Sequence, residues 1–195
     1  MTRPINRGHP LKTLVMIGLS IGLAGCSQPI EQHGKDSQMT QPGTTLWRTI
    51  DALVQQIPFT KIKVENLLAT HLVEKDTSGS PFQNTAFQFY TGGPVTLTDG
   101  VIISDVDLRI RHRSGHPGFL VLNVGGNCIH PDEVRAHYGK LKITDYPRGN
   151  SLDEATSYSV FPEWGKLSFG FVERNRSCLA YVAFDPRFEA DKTAQ

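Results

Sequence analysis

The sequence predicts an α+β domain in which an antiparallel sheet of five or six strands carries two or three helices. Three observations predict it. Residues 105–111 alternate charged and apolar side chains with a period of two, as a half-buried strand does. Residues 46–57 repeat apolar side chains at three- and four-residue intervals, as a helix packed on one side does. The last third holds three short runs rich in aromatic and β-branched residues, broken by turn residues.

Taken in order, Thr44 or Thr45 can cap the first helix, in which Leu46, Ile50, Leu53, Val54 and Ile57 share a side beside Trp47. Pro58 ends it. A second short helix is expected over 64–72, with Leu67, Leu68 and Leu72 on one side. After a polar loop at 75–81, residues 86–90 alternate like a strand until Gly92-Gly93-Pro94 breaks the pattern. The clearest strand follows. Ile102, Val106, Leu108 and Ile110 share one face; Asp105, Asp107, Arg109, Arg111 and Arg113 share the other. The turn Ser114-Gly115-His116-Pro117-Gly118 leads into 119–124, completing a hairpin. Pro131 suits the first turn of a third helix, with Asp132 and Glu133 at its positive end and Gly139 as its stop. Val134 and Tyr138 are expected to face inward. Residues 141–143 suggest a strand and 145–157 a polar loop. Strands at 158–161, 166–172 and 178–184 close the domain, the last two joined as a hairpin through 173–177.

The start of the chain has a different character. Arg3, Arg7 and Lys12 precede a short apolar run that ends in Leu23-Ala24-Gly25-Cys26. A basic segment, a short apolar segment and small residues at a cut define a secretory leader. The run is shorter than the roughly 20 apolar residues that span a bilayer. Cys directly after Leu-Ala-Gly resembles the lipobox of bacterial lipoproteins. The resemblance implies a leader over 1–25, cleavage before Cys26 and lipid attached to Cys26. In the enterobacterial proteins it resembles, Asp after the lipidated Cys favours retention at the inner membrane; Ser27 therefore implies the outer membrane, with the bulk in the periplasm. Residues 26–43 are polar and hold Pro and Gly, which suits a flexible tether. The domain is expected over 44–188, with a disordered tail at 189–195.

Loss of the leader leaves 17 of the 20 basic residues against 19 acidic ones, a formal charge of −2. No basic field exists to recruit nucleic acid. Membrane contact is expected through the lipid alone. Cys128 and Cys178 remain, and an even pair in an oxidising compartment is usually bridged, which adds one disulfide to the fold class. A reactive thiol or a metal pair is the rival reading, without Cys-x-x-Cys spacing behind it.

No pattern declares a chemistry. Gly-x-Ser-x-Gly is missing, as is His-Glu-x-x-His. His112 and His116 flank a loop rather than share a helix side. Asp105 and Asp107 share a strand face, but the arginines that continue it hold carboxylates ionised, whereas an acid catalyst needs a raised pKa. That face is either a solvated strand surface or a protein-binding one, since Arg is favoured at interfaces. Trp164, after Phe161-Pro162-Glu163, is either scaffold or an exposed anchor. No cofactor or metal and no enzymatic activity are expected.

The second half places Gly126-Asn127-Cys128-Ile129, Val134, Tyr138-Gly139, Gly165-Lys166-Leu167-Ser168-Phe169-Gly170-Phe171 and Cys178-Leu179-Ala180-Tyr181-Val182-Ala183-Phe184 in succession. Behind a lipobox, this resembles small periplasmic lipoproteins that act as immunity proteins against type VI secretion effectors, those paired with antibacterial phospholipases above all. The resemblance covers roughly residues 85–185. It implies a binding protein that neutralises a toxic effector by occluding its active site, with no catalytic residues. The expected partner is that effector, reached through Asp105, Asp107, Arg109, Arg111, Arg113, His116 and Trp164, or through a loop such as 112–118 or 145–157. An assembly accessory of an envelope machine is the alternative function.

Overall fold

The computed structural model describes residues 44–77, 86–112 and 115–188. Among these residues three α-helices and nine strands form an α+β fold in which every strand pairing is antiparallel. No helix among the described residues is long and apolar enough to cross a membrane.

Helix α1 spans Leu46–Val54, and the Thr45 hydroxyl accepts from the Arg48 amide. Its buried residues Leu46, Thr49, Ile50 and Leu53 follow the helical period. Helix α2 spans Lys61–Leu68, starting and stopping earlier than the expected 64–72. Thr60 caps its start, and Ala69 ends it in the left-handed conformation (φ 46°, ψ 46°). Leu72, expected inside the helix, is buried beyond it, and its amide donates to Glu65 Oε1 at 2.8 Å. Helix α3 spans Pro131–Tyr138; the His130 amide donates to Glu133 Oε1 at 2.8 Å, and Gly139 ends the helix with φ 71°.

The strands are β1 Val73–Glu74, β2 Phe87–Gly92, β3 Val95–Thr96, β4 Val101–Arg111, β5 Phe119–Gly126, β6 Lys142–Asp145, β7 Ala155–Val160, β8 Gly165–Val172 and β9 Tyr181–Pro186. Their order in the sheet is β1-β2-β4-β5-β9-β8-β7-β6, with β3 on β4. The count exceeds the expected five or six. β1 and β3 have two residues each, too few to show a period, and β7 begins inside the stretch expected to be loop.

The helices lie on one face. Val106 and Leu108 of β4, Leu120 and Leu122 of β5, Val182 and Phe184 of β9 and Phe169 of β8 join Leu46, Ile50, Leu53, Val64, Leu68 and Val134 in one buried core. Full burial of such a side chain contributes about 1.5–3 kcal/mol.

The alternation in β4 breaks once. Val101 and Ile103 are buried, then Val106 and Leu108; Ile102, expected inside, is not. The register on β5 jumps between Ile103 and Asp105, so Ser104 is a bulged extra residue whose hydroxyl donates to the Asn123 carbonyl at 3.1 Å. One inserted residue moves every side chain before it to the opposite face.

Cys128 and Cys178 form a disulfide with 5.0 Å between their Cα atoms. It joins the segment before α3 to the β8–β9 connection. Beside it the Leu179 amide donates to the Ile129 carbonyl at 2.9 Å.

Candidate functional site

The face of the sheet turned away from the helices carries the charged residues of β4. The registers put Phe87, Phe89 and Thr91 of β2 directly opposite Arg111, Arg109 and Asp107. On the other side of β4, Phe119, Val121 and Asn123 of β5 oppose Arg109, Asp107 and Asp105. Tyr181 and Ala183 of β9 and Ser168 of β8 extend this open face. None of these side chains belongs to the buried core.

Arg109 is its centre. Phe89 and Phe119 are its two cross-strand partners, and its guanidinium lies 5.9 Å from one ring and 5.3 Å from the other. Its Nε donates to both Asp107 oxygens at 3.1 and 3.0 Å, and its Nη2 to Oδ2 at 2.5 Å. That hydrogen bonding raises the Arg109 pKa, burial opposing it, so the side chain is cationic at any working pH. Arg111 repeats the arrangement two residues on, 5.2 Å from the Phe87 ring. Asp105 accepts from Thr91 Oγ1 at 2.6 Å and from Asn123 Nδ2 at 3.1 Å. The arrangement alternates flat rings with flat cations, suited to stacking.

Two hollows flank Arg109. One, of about 690 Å³, runs toward Val73 and Tyr90. The other, of about 410 Å³, runs toward Ser157, Ser168 and Tyr181. Hydroxyls floor the second. Ser159 Oγ lies 2.7 Å from Thr144 Oγ1 and 2.8 Å from Ser168 Oγ, and Ser157 Oγ lies 2.7 Å from the Tyr181 hydroxyl. Ser157, Ser159 and Ser168 are buried on a face that no helix of this core covers. Tyr181 rests on Gly170, where a methyl group would overlap its ring.

The remaining candidates fall elsewhere or only near. His116 accepts from the Gly118 amide at 3.2 Å and packs against Phe87 and Phe188, beside the end of the Arg111 row. Trp164 is on the opposite face; it packs against the core and stacks near Phe184, 6.3 Å between ring centres. Cys26 and Arg113 lie outside the described residues. His137 stacks on Trp47 at 4.4 Å. Among the described residues no group of three His, Cys, Asp or Glu is placed to hold a metal ion.

The loop between β6 and β7 is built around Glu154. Its carboxylate accepts from the amides of Arg148, Gly149 and Asn150 and from Asn150 Nδ2. Burial pushes its pKa up, but the donors of Arg148, Asn150 and Gly149 outweigh burial and leave it below the usual carboxylate range. The loop presents Tyr146 and Leu152 to solvent.

Sequence reasoning missed Phe89, Phe119 and the serine floor. The signal for the two rings was available, since both strands were expected, but their register against Arg109 was not. Comparison with protein-family models, with curated proteins and with solved structures yields no match.

Proposed function

We propose that this chain is a lipid-anchored periplasmic immunity protein that binds and neutralises an antibacterial effector of type VI secretion, with a phospholipase as the favoured class. The observation that carries the reading is the Phe89–Arg109–Phe119 row on the open sheet face. Arg and aromatic residues dominate the energetic centres of protein interfaces. Arg109 enters such a contact already oriented by Asp107, so little side-chain freedom is lost on binding. The Glu154-ordered loop supports the same reading, because a loop held in one shape can enter a cleft without an ordering cost. Lipidation at Cys26 would concentrate the protein at the membrane a phospholipase attacks. A stable complex needs about 800 Å² from each partner, a patch larger than the Arg109 row alone.

The test is protection. Cells that express a phospholipase effector in the periplasm should survive with this chain and die without it. Arg109→Ala should abolish protection while leaving the protein folded and abundant. Equal killing with and without the chain refutes the reading. Stable recovery with an envelope complex, without protection, would make it an assembly accessory instead.

A further inference from the structure

Strand β6 is the last strand of the sheet and pairs with β7 alone; among the described residues no other strand pairs with its outer edge. All four of its residues are exposed. Such an edge invites another strand, and proteins ordinarily guard it with charge, shortness or a bulge. β6 has all three, yet their arrangement makes the strand complementary to itself.

The register on β7 shows how. Lys142 opposes Ser159 and Asp145 opposes Ser157, so both charged residues project on the open face. Three positions apart, they would project on opposite faces of a regular strand. The register shift between Ile143 and Asp145 absorbs the odd residue, and Thr144 is the bulge. Ile143 opposes Tyr158 on the helical face and is 59% exposed. Turned end for end, β6 therefore presents Asp145 where it had Lys142, and Ile143 where it had Ile143.

The surroundings agree. Of the six exposed large apolar residues in the described chain, four lie on β6 or in the segments adjoining β6 and β7: Ile143, Tyr146, Leu152 and Phe161. Tyr146 directly follows Asp145, and Phe161 sits under Lys142, with 5.6 Å between its ring centre and Nζ. An end-for-end partner carries its own Tyr146 toward this Phe161. A two-fold interface is self-complementary by construction, and this edge already meets that condition.

We propose that β6 pairs antiparallel with β6 of a second copy about a two-fold axis at Ile143, joining two sheets into one. Lys142 then faces Asp145 of the other copy twice, opposite charges across a strand pair, with an isoleucine pair between them. The inference is independent of what the open face binds.

Cross-linking tests it without any other partner. In the 195-residue chain carrying Cys26→Ser and Ile143→Cys, the introduced thiol is the only unbridged cysteine. Directly opposed Cβ atoms lie about 4.5–5.5 Å apart, close to what a disulfide spans. Copper phenanthroline should convert the purified protein to a dimer on a non-reducing gel. Val73→Cys, on the opposite edge strand and 58% exposed, should stay monomeric under the same oxidant. Adding Lys142→Glu to the Ile143→Cys protein should lower its cross-linking to the Val73→Cys level, and adding Asp145→Lys as well should restore it. No dimer from Ile143→Cys overturns the proposal. So does equal dimerisation from both edges, which would be random collision, or a cross-link indifferent to Lys142→Glu.

Discussion

Removing the disulfide should cost about 4 kcal/mol of stability. Cys128 and Cys178 are 50 residues apart, and the loop they close holds α3, β6, β7 and β8. In the chain-entropy account, a closed loop of about 50 residues removes roughly 14 cal/mol/K from the unfolded state, or about 4 kcal/mol at 25 °C. Native geometry should survive the loss, because the Leu179 amide still donates to the Ile129 carbonyl beside the bridge. The loss therefore acts mainly through the unfolded chain. For a chain of this size each kcal/mol moves the midpoint by about 2–4 °C, so Cys128→Ser/Cys178→Ser should melt about 8–16 °C below wild type. Circular dichroism melts of the double variant, and of wild type with and without reductant, measure this; reduced wild type should match the variant. A shift below about 3 °C would refute the entropic reasoning. So would a changed near-ultraviolet spectrum at 20 °C, since the bridge would then be shaping the native state.

Three further outcomes follow from local geometry. Ala69 holds a left-handed conformation that suits glycine, so Ala69→Gly should stabilise by about 1 kcal/mol in a urea titration. Gly170→Ala drives a methyl into the Tyr181 ring and parts its hydroxyl from Ser157; a loss of about 1–3 kcal/mol in the same titration is expected. Glu154 has a lowered pKa in the fold, so its contribution is present above the unfolded carboxylate value and is lost as pH falls through the folded one. Amide exchange at Arg148, Gly149 and Asn150, corrected for intrinsic rate, should therefore stay slow at neutral pH and quicken in acid. Glu154→Gln should be fast at neutral pH too. Exchange indifferent to acid would show that the loop does not depend on this carboxylate.

Long periodic elements are legible in this chain because a repeated pattern and a buried face say the same thing. Leu46, Ile50 and Leu53 mark α1 in that way, and the Phe169 and Val182 strands mark the final hairpin. The Cys128–Cys178 bridge is legible from the even number of cysteines that follow the expected leader and Cys26. Strand β4 marks the limit. Its alternation reads correctly from Asp105 onward and in the wrong phase at Ile102, because a bulge at Ser104 leaves no mark in composition. Helix α2 starts earlier than its apolar spacing indicates because Thr60, four residues before Val64, sets its start. The candidate site was half visible. The charged row of β4 follows from a period of two, whereas pairing Arg109 with both Phe89 and Phe119 requires the registers of three strands at once. Glu154 was invisible for a related reason: its meaning lies in amides four to six residues earlier, which turn toward it only once the loop is closed.

The first described residues are tied down in a way that bears on mechanics. Thr44 accepts through its carbonyl from the amide and the hydroxyl of Thr98, and the Leu46 amide donates to Asp99. All three bonds reach the turn between β3 and β4, at the root of the longest strand in the sheet. Tension drawn along the chain toward Thr44 would load these three bonds before it reached the turns of α1 beyond Leu46. A pull from the amino-terminal side therefore meets a clasp on the turn leading into β4 rather than a helix that unwinds turn by turn.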